Sequence, residues 1–385
     1  MKMVATINRF SLTIGVCLFG FISAIPAYAA KHTVNCNLPG QSLTKTLETS
    51  KPGDSIVVHG DCRERLTITA GPLTLDGDGT WVMDGAGLVP DITEFNSLIA
   101  VDGAQGIMIR GVTIRNGSGE GILGMHGASM VVKNARIERM TTGLGLSNSS
   151  AEVTDSTFEH NANGIDAYAA STVIFRGQVD ISQNLGESLT LNGNSFAEIR
   201  GGHLQVNDNG VGVVISANSA MTIFGFQTSE GSRLTTSGNQ GPGIVIAHGH
   251  LFFAGSTLQP GGLVITSSGN AGPGLFLTEN ASLTSPFAAA KFVIENNLIG
   301  MQFEQGASAV ITGGLNVKNN AIAGIQADNA SGLTFTSVPS NPSTILSNST
   351  DVILRFGTKS TIDGVVVGTI ACDATVLSRG TKVCP

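Results

Sequence analysis

Arg115, Glu138 and Glu159 occupy corresponding places in three successive, similar segments of this chain, and Thr113, Arg136, Thr157 and Asp180 form a second such series. Two carboxylates brought close together push up each other's pKa, which suits acid–base chemistry, or they hold a cation between them. A lyase could use an arginine with a calcium-assisted carboxylate, and Arg115, Arg136 or Arg176 would then be the candidates. The catalytic candidates are therefore Arg115, Arg136, Glu138, Glu159 and Asp180. A separate pair, Asp166 and Tyr168 in "HNANGIDAYAAS", stands among small residues that leave room for a ligand. The competing reading of all these charges is a solvated face whose ion pairs contribute little.

Other metal signals are thin. His248 and His250 are two residues apart with no third ligand near them, and Asp76, Asp78 and Asp84 in "DGDGTWVMDG" resemble a calcium-loop fragment without its later glutamate. The residues call for no cofactor; calcium is the one ion that the carboxylates suggest.

What must position these residues is a repeat. "GILGMHGASMVV" from Gly121, "GLGLSNSSAEVT" from Gly143 and "GIDAYAASTVIF" from Gly164 align, and the series continues from Ser188, Gly212, Gly243, Gly274, Gly300 and Gly324. Each unit has period-2 alternation, a small-residue turn, a second alternating run, then asparagine and glycine. In one of them Ala151, Val153 and Phe158 point inward, while Glu152, Thr154, Thr157 and Glu159 point out. A lone unit cannot bury both apolar faces, so the units must stack on one elongated core. Neighbouring coils then lie about 4.8 Å apart. Arg115 and Glu138 are expected to pair, and Glu138 and Glu159 to repel unless something lies between them.

The recurrent asparagines (Asn116, Asn161, Asn163, Asn184, Asn207, Asn209, Asn239, Asn270, Asn297 and Asn320) precede the next unit and read as turn formers that stack into ladders. Charge is uneven. Arg110 to Asp208 holds 17 charged residues, Val211 to Ala290 only three. In the latter stretch the outward position of Asp166 and Thr190 becomes Val214, Val245 and Phe276, an apolar stripe that must be covered or bound. The excursions around Gln227–Gly238, Thr257–Gly269 and Ser285–Lys291 are expected to fold over it, with a protein partner there as the alternative.

Bulk properties bound the function. Lys2 and Arg9, the apolar run "SLTIGVCLFGFISAI" and Ala27-Tyr28-Ala29 read as an export signal over residues 1–29, cleaved after Ala29. Its apolar core is too short for a transmembrane segment, so a secreted or periplasmic protein is expected. Loss of Lys2 and Arg9 takes the net charge from −7 to −9, and no basic run exists to bind nucleic acid. Cys36, Cys62, Cys372 and Cys384 remain, and proximity favours disulfides Cys36–Cys62 and Cys372–Cys384. Trp81 and Tyr168 are then the last Trp and Tyr, few for a sugar-stacking platform.

These repeats resemble the right-handed parallel β-helix of the pectate-lyase-like superfamily, in its secreted bacterial form. The entry "GQSLTKTLETSKPGDSIVVHGDCRERLTITAGPLTLDGDG" is similar to the N-terminal coils of secreted β-helix proteins. The resemblance implies an all-β, single-stranded solenoid of about 11–12 coils. It also implies a short capping helix, with Leu43 and Leu47 over the open end and Cys36–Cys62 pinning it. The expected organisation is a cap and first coil over 30–70, the β-helix over 71–370 and a disulfide-closed tail over 371–385. It further implies a polysaccharide as partner. Yet the Asn-Thr-Asp, Asp-Asp, Gly-His-Gly and Arg-Ile-Lys stretches of polygalacturonases are missing. So are the Asp-Pro-His-Asp of alginate epimerases and the Trp-Ile-Asp-His of pectate lyases, and no catalytic residue carries over. Two functions stay open: a β-helix that binds or processes a glycan on its polar outer face, and a non-catalytic, adhesin-like one.

Overall fold

A computed structural model describes residues 29–89, 96–225, 231–254, 262–380 and 384. The export-signal reading therefore lies, apart from Ala29, outside the described residues.

The chain is a parallel β-helix. Each coil contributes strands to three faces. The third face is a 13-stranded parallel sheet that includes Glu120–Met125, Thr142–Ser147, Asn163–Tyr168 and Glu187–Leu191. Eleven of its strands fall in the span 71–370 expected for the solenoid; Leu66–Ile68 belongs to the first coil and Ile370–Cys372 reaches the tail. The other two faces share a continuous sheet, since long strands such as Ser150–Glu159 and Thr172–Ser182 bend between them. The bend falls where the register slips, between Thr154 and Ser156, and Asp155 takes a left-handed φ of 48° there. Gly177 holds the corresponding corner one coil on, with φ of 58°.

Register bears out the repeat alignment residue by residue. The residue after each unit start (Ile122, Leu144, Ile165, Leu189, Val213, Ile244, Leu275, Met301, Ile325) pairs with its counterpart on the next coil. All nine are fully buried. One core runs through the stack, with Trp81, Phe158, Phe175, Phe253, Phe292, Phe303 and Phe335 among its largest members. The glycine at the unit start is required by close approach, because a Cβ on Gly164 would collide with the Ser188 carbonyl.

At the corner between the second and third faces the chain leaves the sheet, and its backbone groups need other partners. Asparagine supplies them. Asn161, Asn184, Asn209, Asn239, Asn270, Asn297, Asn320 and Asn348 stack so that each backbone N–H donates to the next side-chain carbonyl at 2.9 to 3.1 Å, as far as Asn348. Met140 N–H caps one end by donating to Asn161, and Asp351 accepts from Asn348 at the other. Asn116, Asn163 and Asn207, expected in the same role, stand outside this ladder. Asn116 donates to Asp84, Asn163 to Asp166, and Asn207 accepts from Ser237.

The N-terminal end is capped as expected by a short helix, Leu43–Thr49, with Leu43 fully buried and Leu47 packed against the core. Its first turn is held from a distance. Glu64 accepts from Leu43 N–H at 2.8 Å, Thr44 N–H at 3.1 Å and the Ser42 hydroxyl at 2.8 Å. Burial opposes its charge, but these hydrogen bonds, with that of the Thr44 hydroxyl, outweigh it and hold the carboxyl below its ordinary pKa. Both disulfides form as expected, Cys36–Cys62 with Cα atoms 5.0 Å apart and Cys372–Cys384 with 5.8 Å. Among the described residues no helix is long and apolar enough to cross a membrane.

Candidate functional site

Strand alternation on the second face turns every other side chain outward, and parallel stacking sets equivalent positions in rows. Arg115, Glu138 and Glu159 share one row; Thr113, Arg136, Thr157 and Asp180 share the adjacent one. All five catalytic candidates thus lie on one face, over four consecutive coils.

Their pairing differs from the expected one. Arg115 turns away from Glu138 and reaches back to Asp84, with Nε 3.1 Å from its carboxylate, and lies 4.0 Å from Asp61. Arg136 takes the place between the glutamates. Its guanidinium sits 2.9 Å from Glu138 and is also ion-paired to Glu159. Arg139, at the left-handed corner residue of that coil, adds a second cation 3.0 Å from Glu138. Two guanidiniums therefore serve Glu138, which is only 6% exposed, and the site expected for a bridging ion is filled by Arg136. Hydrogen bonding to Glu138 raises the Arg136 pKa against the pull of desolvation, with the Glu159 and Glu138 charges adding to it. Asp84 is desolvated, yet the Ala86 N–H, Asn116 and Arg115 bring its pKa below the ordinary value.

Asp180 differs. Burial pushes its pKa up, the Glu159 and Asp208 charges push the same way, and a hydrogen bond with Ser182 only partly offsets them. The face thus presents an ion-paired Arg/Glu cluster beside a carboxyl whose pKa burial and neighbouring carboxylates raise. Together they offer hydrogen-bond acceptors to a ligand lying across the coils.

Asp166 and Tyr168 are on the third face, so the structure separates them from the Arg/Glu cluster. Asp166 lies between Gly145 and Thr190 in register, and Tyr168 beside Ser147. Burial raises the Asp166 pKa; it accepts from Thr142 at 3.3 Å and Asn163 at 3.4 Å, while the Glu187 charge raises the pKa further. Tyr168 is 41% exposed, and burial together with Glu120 and Asp166 raises its pKa too. His160, between the two groups in sequence, is a corner residue with φ of 56°. Arg176 lies on the first face, 2.9 Å from Glu152.

The remaining candidates disperse. Asp76 pairs with Arg110 at 2.5 Å, away from Asp84, and His248 and His250 take separate partners, Glu279 and Ser282. Among the described residues, the one group with metal-ligand proximity is Cys36, Cys62 and Glu64. The cysteines there are disulfide-bonded and Glu64 caps the helix.

Val214, Val245 and Phe276 form an outward row on the third face, in line with Asp166 and Thr190 and half-buried. The excursions expected to cover it lie partly outside the described residues, at 226–230 and 255–261. Their described parts continue as strands Ser232–Ser237, Leu263–Ser268 and Ala290–Glu295 of the second face. Those strands build a neighbouring face and do not form a cover.

Sequence reasoning missed Arg139, whose only signal was its place at the corner position, and the ladder terminus Asn348–Asp351, which breaks the asparagine–glycine pattern.

Residues 97–259 match a family model described as "Right handed beta helix region", in agreement with the fold. No curated protein matches the chain in sequence. Among solved structures, it is similar to the A-module of the Azotobacter vinelandii mannuronan C-5 epimerase AlgE6, at 12% identity over 87% of this chain and 93% of that one, with a TM-score of 0.48. It is similar to pectate lyase Pel9A at 14% identity over 90% of this chain and 78% of that one, TM-score 0.39. A point mutant of the periplasmic alginate epimerase AlgG aligns at 12% identity over 89% of this chain and 84% of that one, TM-score 0.46.

Proposed function

We propose that this chain is an exported right-handed parallel β-helix protein that binds or processes a polysaccharide across the polar rows of its second face. The observation that carries the reading is Arg136 seated between Glu138 and Glu159, with Asp180 beside them on the next coils. A linear glycan offers hydroxyls at regular intervals, and stacked coils offer acceptors at about 4.8 Å spacing to meet them. The ion-paired acids outnumber the cations: Asp61, Asp84, Glu138 and Glu159 against Arg115, Arg136 and Arg139. That balance favours a neutral chain, or an acidic one brought in with calcium.

A second reading is a non-catalytic interaction protein that binds a partner through Val214, Val245 and Phe276. The outward, half-buried position of that apolar row favours it.

The test is a glycan array and a uronide-lyase screen of the exported protein, with calcium and with EDTA, beside Arg136→Ala and Glu138→Ala. Binding or turnover that these variants lose supports the polar face. Glycan binding untouched by both sinks it, and silence on every glycan favours the second reading.

A further inference from the structure

Ala30 is held on both sides where the first coil begins. Its carbonyl accepts from Ser55 N–H at 2.9 Å, and its own N–H donates to Asp54 Oδ1 at 2.7 Å. Asp54 is only 5% exposed. Its other oxygen accepts from Lys51 N–H at 2.8 Å and lies 3.2 Å from His32 Nε2. Ala29 and Ala30 are themselves exposed, leaving the bond between them open to a protease.

We propose that cleavage between Ala29 and Ala30 installs a neighbour of opposite charge for Asp54 beside His32, converting a peptide hydrogen bond into an ion pair that clamps the first strand. The inference rests on the export-signal reading. Hydrolysis by a leader-removing endopeptidase consumes one water. Ala29 departs with the new carboxylate, and Ala30 keeps its nitrogen as an α-ammonium, the same atom already beside Asp54. An α-amino group has an ordinary pKa of about 7.7–8.0 and is mostly protonated at neutral pH. A hydrogen bond between two charged groups is shorter and stronger than one with a neutral donor. The strand it secures, Lys31–Asn35, pairs with Ser55–Cys62 and is the outermost strand at its end of the sheet among the described residues. Processing would thus tighten one end of the solenoid, where the last strand has a neighbour on one side only.

The experiment compares the full chain starting at Ala30 with the same chain carrying one added serine before Ala30, each also as Asp54→Asn, by thermal unfolding. The free-amine form should melt about 2 °C or more above the extended one, and the gap should close in the Asp54→Asn pair. Amide hydrogen exchange over Lys31–Asn35 should be slower in the free-amine form, a comparison that needs no Asp54 variant. Equal melting temperatures with equal exchange, or a gap that survives Asp54→Asn, overturn the ion pair and leave the export reading intact. Mass spectrometry of the exported protein tests that reading separately; a first residue other than Ala30 overturns both.

Discussion

Glu138 and Glu159 stand directly opposite each other on adjacent rungs of the second face, and the Arg136 guanidinium is bound to both. Like charges so placed across a parallel pair are destabilising. The arginine converts the clash into a three-residue cluster, with Arg139 as a fourth member.

Arg136→Ala should expose that clash. About half of the Arg136 side chain is in water, so its ion pairs contribute modestly, about 1 kcal/mol or less, and the repulsion released is of similar size. Denaturant unfolding at low salt should show the loss, and salt near 1 M should reduce but not abolish the difference from the parent, because Glu138 is largely buried and screened less. A loss of several kcal/mol that salt does not reduce would mean that Arg136 is a packing residue.

The asparagine ladder predicts a sharp contrast between positions that look alike in sequence. Asn270 is 2% exposed, accepts from Asn239 N–H and donates to Asn297. Asn270→Ala leaves buried groups without partners at about 1–3 kcal/mol each. Asn207 faces outward and, among the described residues, its side chain meets the Ser237 hydroxyl alone, so Asn207→Ala should change stability by about 0.5 kcal/mol or less. Urea titrations of the two variants settle it, and equal effects would contradict the ladder's role.

That contrast also marks how far the sequence could be read. The repeat fixed which residues face inward and which share an outer row, because a period of two and a recurring start to each unit allow only one alignment; Ile122 through Ile325 follow it. It did not separate Asn207 from Asn209, since both belong to the same asparagine–glycine stretch and only the turn decides which one faces in. Nor did it show that Arg115 would choose Asp84 over Glu138. A row position narrows partners to the coil on either side, and long side chains make the final selection by rotamer. Glu64 was hidden for another reason: it caps a helix some twenty residues away, a contact made only when the first coil closes.

Asp166 predicts a pH dependence. Burial raises its folded pKa above the ordinary 3.8, so the folded state disfavours its charge. Stability from the protonated form is therefore complete below about pH 4 and declines as pH rises through the folded pKa. Asp166→Asn keeps an acceptor for Thr142 and Asn163 without the charge. The variant should melt higher than the parent at neutral pH and match it below about pH 4. A variant that melts lower at neutral pH would show that the carboxylate is needed ionised.

Glu64 predicts the reverse sign. Its folded pKa lies below the ordinary 4.5, because hydrogen bonds from Thr44, Leu43 and Ser42 outweigh its desolvation. The stability it supplies is present above that ordinary value and is lost as pH falls through the folded pKa. Glu64→Gln retains one acceptor but cannot serve two backbone N–H groups and two hydroxyls as well. At neutral pH it should cost about 1–2 kcal/mol, the scale of a lost helix cap or charged hydrogen bond. The loss should be local. Amide exchange over Leu43–Thr49 should quicken while the ladder from Asn161 to Asn348 stays protected, because solenoid coils are stabilised mainly by their neighbours. Uniformly faster exchange along the whole chain would instead make the cap the cornerstone of the entire fold.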